Sequence, residues 1–221
     1  MPLRLRPVVF VLALGTGLGL AGCVPYAVGS TAATASAGQA VPDATFQYAS
    51  HQRLRTREPG ERPGDGPTVS LDNGARLGLD AYSDVGLRLV GLSGVVVTYG
   101  RRLSGPTGGD AGTKAIVGGG VLGGGSHYHL EGTIVASAGG ASRITPYGGV
   151  RAQYLGAFAP DAIAAEAVGV FVGGRFGWPD LGIWPEVGVF YSPSDVFGQG
   201  DVVVAPSVTV RGDRLLRTLG L

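Results

Sequence analysis

The feature that most restricts this chain is a period-two alternation of apolar and polar side chains, repeated in short stretches through most of its length. In residues 144–156 the even positions are Ile144, Pro146, Gly148, Val150, Ala152 and Tyr154, while the odd ones are Thr145, Tyr147, Gly149, Arg151, Gln153 and Leu155. Residues 127–138 repeat the pattern, with Tyr128, Leu130, Ile134 and Ala136 on one side and His127, His129, Glu131, Thr133 and Ser137 on the other. Val202, Val204, Val208 and Val210 likewise alternate with Val203, Ala205, Ser207, Thr209 and Arg211. Successive side chains of a strand point to opposite faces, whereas a helix repeats about every 3.6 residues, so these stretches read as strands with one apolar face.

Further strands fit 67–80, 84–91, 94–103, 113–124, 165–177 and 183–192, with a weaker one at 44–52, which makes ten. Across Gly91-Leu92-Ser93-Gly94 the odd positions from Val85 to Tyr99 stay mostly apolar, so a single long strand is the alternative there. Merging those two and dropping the first strand gives eight. Both counts are even, which brings the chain back to its starting side, as in bacterial single-chain barrels. Composition agrees: glycine supplies 41 residues, only 15% of the chain is charged, and long Ala/Leu/Glu/Lys runs are missing after residue 23. The formal net charge is +1 without a dense basic cluster, so nothing favours nucleic acid as a partner.

Alternation alone fits a soluble sandwich as well as a membrane barrel, and the polar face decides between them. A solvated face is usually rich in Lys and Glu, but here it carries Arg, Gly, Ser, Thr, Gln and Tyr, with lysine only at Lys114. That suits a confined interior, in which Arg76, Asp80, Arg88, Arg102, Glu131, Arg151, Arg175 and Arg211 are expected to form a paired network. Each charge there needs a partner, because unpaired burial costs several kcal/mol. The apolar face is Val, Leu, Ile, Ala and Gly, with Tyr82, Tyr128, Tyr154, Trp178, Trp184 and Tyr191 near strand ends, as in an aromatic girdle. Pro206 lies inside the last strand and cannot donate to a ladder, so it predicts a bulge or an open seam. Pro146 and Pro185 stand nearer strand starts.

The amino terminus reads as an export signal. Arg4 and Arg6 precede an apolar run, 7–20, closed by Ala21 and Gly22, which falls short of a membrane-spanning helix. Leu20-Ala21-Gly22-Cys23 resembles the bacterial lipobox, and Cys23 is the only cysteine in the chain. The resemblance implies cleavage after residue 22, diacylglycerol and N-acyl groups on Cys23, and membrane lipid as a partner. Two or three acyl chains hold a protein stably at a bilayer. By the enterobacterial sorting rule, Val24 implies the outer membrane. Residues 23–42, small and polar, read as a flexible tether, 43–212 as one barrel domain, and 213–221 as a tail. The stretch 53–67, with Arg53, Arg55, Arg57 and Arg62 among acids and prolines, reads as a solvated loop.

The stretches TAATASAGQAVPDATFQY, ARLGLDAYSDVGLRL, PYGGVRAQYLG, WPEVGVFYS and APSVTV together resemble small outer-membrane β-barrel lipoproteins and porin-like relatives. The likeness is one of style and repeat layout and covers most of the mature chain. It implies an antiparallel up-and-down barrel in the outer membrane. Such barrels commonly end on an aromatic residue, whereas this chain ends RLLRTLGL.

Candidate chemistry is sparse. The glycine tracts 118–120 and 123–125 lack the Gly-Lys-Ser/Thr of a phosphate loop and sit between strands. Ser126, His127, His129 and Glu131 suggest a hydrolase or a metal site, but catalysis needs partners converging from several strands and the sequence fixes none. The leading expectation is therefore a lipid-anchored outer-membrane barrel with a structural, surface or small-solute role, no catalysis, no cofactor and no metal. An envelope protein is a further expected partner. The alternatives are a lipid-tethered periplasmic β-barrel or sandwich binding an apolar ligand or protein, and an outer-membrane lipid hydrolase.

Overall fold

The computed structural model describes residues 24–50, 67–139, 143–158, 164–178, 181–193 and 201–212. Among them ten strands run in chain order: β1 (Ala40–Ala49), β2 (Thr68–Gly78), β3 (Ser83–Val90), β4 (Gly94–Ser104), β5 (Gly112–Leu122), β6 (His127–Ser137), β7 (Ile144–Ala157), β8 (Ala165–Trp178), β9 (Leu181–Ser192) and β10 (Asp201–Arg211). Each pairs antiparallel with its chain neighbours, and β10 returns to β1, closing the barrel. The eight-strand alternative is thereby set aside. β3 and β4 are separate strands joined at 91–93, where Ser93 N–H donates to the Val90 carbonyl, and the weak first strand is real but begins four residues earlier than expected.

Burial follows the sequence parity strand by strand. On β6 the odd positions are buried, whereas Leu130 and Ile134 are exposed. On β7 Thr145, Tyr147, Arg151 and Gln153 face in, and Ile144, Val150 and Tyr154 face out. On β9 the buried set is Trp184, Glu186 and Phe190, and the outward set Ile183, Val187, Val189 and Tyr191. Trp184 therefore belongs to the interior, not to an outer girdle: two residues from Glu186, it shares that strand's inward parity. Trp178 and its orientation lie outside the described side chains. Of the outer aromatic residues, Tyr128 packs on Tyr154 at 5.9 Å and on Phe158 at 5.1 Å between ring centroids where β6 begins and β7 ends, while Tyr48, Tyr82, Tyr99, Phe176 and Tyr191 are exposed elsewhere on the barrel.

The two ends of the barrel differ. The strand ends joined through 50–67, 91–93, 123–126, 158–164 and 193–200 share one end, called here the loop end. At the other, the turn end, lie 79–82, 105–111, 138–143 and 179–180, together with the start of β1 and the finish of β10.

Pro206 acts where it was expected to. Its partner on the β9 side is Val187, but the β1–β10 register stops at Gln47 opposite Ser207, one residue short of it. The ladder is taken up again only where Ser50 N–H donates to the Val204 carbonyl at 3.0 Å. The closing seam thus has a gap at the residue that lacks an N–H.

The largest departure from expectation is at residues 24–39. Instead of forming a tether in solvent, they pass through the barrel lumen, with Val24, Tyr26, Ala27, Val28, Ser30, Thr31 and Ala32 buried. Small side chains suit a linker, but they equally suit a chain that must fit beside inward arginines, and composition does not separate the two. The expected signal segment and Cys23, the arginines of 53–62 and the expected tail 213–221 lie outside the described residues.

Candidate functional site

The lumen is a polar wall built around the extended segment 24–36. A buried backbone must find a partner for each N–H and C=O, and luminal side chains supply them in sequence. At the loop end Gln47 on β1 donates to the Val24 carbonyl at 3.0 Å and accepts the Ala27 N–H at 2.7 Å. Gln153 on β7 donates to the Pro25 carbonyl at 2.8 Å. Arg151 donates to the carbonyls of Tyr26 and Ala27 at 3.3 and 2.9 Å, and Arg88 to that of Ala27 at 3.2 Å. Glu186 then takes the N–H groups of Val28 and Gly29, one on each carboxylate oxygen, at 2.8 and 3.0 Å. Towards the turn end Arg76 donates to Ser30 Oγ at 2.9 Å, Ser137 Oγ accepts Ala32 N–H at 2.9 Å, Lys114 donates to the Ala33 carbonyl at 3.3 Å, and Asp84 accepts Ala35 N–H at 3.2 Å.

Two apolar contacts lock the same segment. Tyr26 stacks on Phe190 at 4.7 Å between ring centroids, in a cluster with Val24, Ala49, Val90, Leu122 and Leu155. Val28 packs with Ile116, Val135, Tyr147, Phe171 and Trp184. Gly29 makes the turn between these levels: its φ is +50°, a conformation that favours glycine, and a Cβ there would collide with the Thr209 side chain. At the exit, Gly38 N–H donates to the Gly78 carbonyl and Gly78 N–H to that of Gln39, and a Cβ on Gly78 would strike the Ala35 and Ser36 carbonyls.

Of the residues expected in an interior network, Glu131 and Arg151 form a buried ion pair across β6 and β7. Arg76 and Arg88 bind the luminal segment as above. Arg211 pairs with Asp43 at 3.0 Å and lies 5.0 Å over the Trp184 ring. Arg175 pairs with Asp110 at 2.8 Å, and Asp110 also accepts Thr31 Oγ1–H at 3.0 Å. Arg102 is buried but donates to the carbonyls of Pro106, Gly109 and Ala111, holding the loop 105–111 at the turn end. Asp80 does not join the network. Strand β2 ends before it, and the exposed Asp80 carboxylate accepts the Tyr82 N–H at 2.6 Å across the β2–β3 turn. That backbone bond, with the Ser83 hydroxyl and backbone N–H, holds its pKa below the ordinary carboxylate value.

Reasoning from sequence missed the pair Lys114–Asp84, 2.6 Å apart and buried, and the roles of Glu186, Gln47 and Gln153. Part of the signal was available as parity, since Asp84 shares its strand face with Arg88 and Gln153 with Arg151, both read as inward, whereas on β9 Glu186 shares its face with Trp184, which was read as outward. What no pattern supplied was the ligand of that face, the chain's own segment.

The residues weighed for chemistry lie in the β5–β6 turn and along the inward face of β6. Ser126 Oγ lies 2.8 Å from the Gly123 carbonyl, to which it can donate, and 2.7 Å from His127 Nδ1, where the imidazole tautomer decides which atom is the donor. His129 Nε2 contacts Gln153, and Glu131 is occupied by Arg151. Among the described residues no group of three His, Cys, Asp or Glu is placed to hold a metal ion. The tract 118–120 lies in β5 and 123–125 in the β5–β6 turn.

The outer wall is apolar around the whole circumference. Leu71, Leu87, Val97, Val117, Ile134, Val150, Val170, Val187 and Val204 mark it on nine successive strands, and Phe46 on β1 completes the ring, all about two-fifths or more exposed. No family model and no curated protein matches the sequence. Among solved structures the chain is similar to Neisserial surface protein A, with TM-score 0.36 and 14% identity over 78% of this chain and 94% of that one. It is also similar to the outer membrane protein Ail of Yersinia pestis, with TM-score 0.33 and 16% identity over 78% and 99% of the two chains. The outer membrane protein OprG of Pseudomonas aeruginosa gives TM-score 0.29 and 12% identity over 83% and 97%. At these levels the likeness decides nothing about strand number or role, which rest on this chain's own strands.

Proposed function

We propose that the chain is a lipid-anchored β-barrel of the outer membrane with a structural or surface role and no catalysis, and that its own segment 24–36 seals the lumen. The observation that carries the reading is the continuous apolar ring outside a closed wall whose charged residues mostly face inward, the outward Arg101 and Glu166 lying towards the ends of β4 and β8. Such a surface exposes large apolar side chains on every strand, far beyond the patch of a few hundred Å² that a monomer in water ordinarily tolerates. In hydrocarbon the same surface is favourable, and a closed ladder leaves no unpaired edge. Every strand but β3 has the 9–11 residues or more that a tilted crossing takes, and β3, with 8 residues, falls one short. A lumen occupied by a hydrogen-bonded segment supports a non-conducting role over solute passage.

The test is made on the full mature chain. Acyl transfer to Cys23 is read by incorporation of labelled palmitate, which Cys23→Ala should abolish. Spanning is read by heat-modifiable migration, with the folded barrel running faster than the boiled chain. Planar bilayers should show no steady conductance. A delipidated domain that purifies as a monomer without detergent contradicts spanning.

A further inference from the structure

The luminal segment has a direction. Val24 sits with Ala49, Val90, Leu122, Leu155 and Ala165, the strand residues that border the connections 50–67, 91–93, 123–126 and 158–164, so it lies at the loop end. Fourteen residues on, Gly38 is bonded to Gly78 beside the 79–82 turn, and Ala37 bridges the same residue, so the segment leaves at the turn end and turns directly into β1. The order of partners from Gln47 through Glu186 to Asp84 fixes that polarity, because donors on the wall meet carbonyls and acceptors meet N–H groups in a sequence the reversed chain would not match.

In spanning barrels with an even strand count, the short turns and both strand termini lie on the periplasmic side and the longer loops outside. Here the start of β1 and the finish of β10 share the turn end, and the longest connection, 50–67, is at the loop end. The segment therefore enters the barrel from the outer face. Resting on the proposed spanning barrel and its lipidation, we infer that the mature chain begins on the cell surface, so that the acyl groups of Cys23 enter the outer leaflet, and that the chain then passes through its own barrel before forming it. The partner of the anchor is the lipid surface at the loop end, not the periplasmic leaflet at the turn end.

The experiment uses the full-length chain in cells, with a site for a sequence-specific protease inserted between residues 23 and 24, and separately within 50–67 and within 105–111. With protease added to intact cells, the 23/24 and 50–67 sites should be cut and the 105–111 site should resist until the outer membrane is permeabilised. If the 50–67 site is cut but the 23/24 site resists until permeabilisation, the threaded topology is wrong while the spanning barrel stands. If 50–67 and 105–111 behave alike, the spanning reading itself fails, and the threading with it. A second variant serves where the 23/24 insertion prevents assembly. Ser36→Cys is nearly isosteric and exposed at the turn end, and Leu92→Cys is exposed at the loop end. A membrane-impermeant maleimide should label Leu92→Cys in intact cells and Ser36→Cys only after permeabilisation; labelling of Ser36→Cys in intact cells overturns the inference.

Discussion

Glu186 on β9 accepts the Gly29 N–H at 3.0 Å while its other carboxylate oxygen holds the N–H of Val28, tying the luminal segment to the wall at mid-barrel. Tyr147 donates its hydroxyl at 3.0 Å to Glu186 Oε2, the same oxygen that accepts the Gly29 N–H. Replacing Glu186 by Ala leaves two buried N–H groups and a phenol without their acceptor. Each orphaned donor costs about 1–3 kcal/mol. The expected outcome is a lower thermal midpoint of the folded, fast-migrating band, accompanied by intermittent conductance in planar bilayers as the segment loosens. An unchanged midpoint with a silent bilayer record counts against the role assigned to Glu186.

Gly29→Ala should be destabilising for two reasons that add: the positive φ and the collision with Thr209. Left-handed strain alone costs on the order of 1–2 kcal/mol. Gly132→Ala is the control, since a Cβ there meets nothing within 4 Å. Equal melting of the two variants would show that Gly29 is not held in the lumen as described.

Glu131 and Arg151 illustrate what burial does to a charge pair. Arg151→Leu should cost about 3–5 kcal/mol, because it strands the Glu131 carboxylate. The double variant Glu131→Leu, Arg151→Leu should recover part of that loss, although the carbonyls of Tyr26 and Ala27 still lose the Arg151 donor, Ala27 keeping that of Arg88. A double-mutant cycle in urea gives the coupling; a sum of single effects would mean that the pair is solvated.

The turn carboxylate supplies a pH dependence. Asp80 has its folded pKa depressed, first by the Tyr82 N–H and then by Ser83. A depressed carboxylate contributes stability that is present above its unfolded value, near 3.8, and is lost as pH falls through the lower folded one. A residue-resolved titration should place Asp80 below an unstructured Asp. In Asp80→Asn the acid-side loss of β2–β3 turn order should be flatter; an Asp80 that titrates at the unfolded value contradicts the bond.

How legible this fold was depended on whether a residue's two possible environments differ. Along the strands they do: Val150 and Arg151 face different surroundings, so parity alone located the inward set, and a single residue without an N–H, Pro206, located the gap in the seam. Asp80 was misjudged because the same parity was carried past Gly78, where a turn takes over and the aspartate serves the backbone. Trp184 was misjudged because an aromatic near a strand end was weighed above its alternation with Ile183. The segment 24–36 was unreadable in a stronger sense. From Gly29 on, Ala, Gly, Ser and Thr fit water and a crowded lumen alike, and beyond the apolar contacts of Val24, Tyr26 and Val28 its binding is carried mainly by backbone groups that every sequence possesses, so the wall around it reveals its place.

The central claim is that the outward face meets hydrocarbon. Val170, near the middle of β8, is 56% exposed, and Val170→Arg puts a charge on that face without touching the lumen. The direct measurement is the unfolding free energy of the full chain, folded into lipid vesicles, for this variant against the parent. A lipid-facing site predicts a loss of about 2–4 kcal/mol. A change within about 0.5 kcal/mol, as at an ordinary water-exposed position, would contradict it.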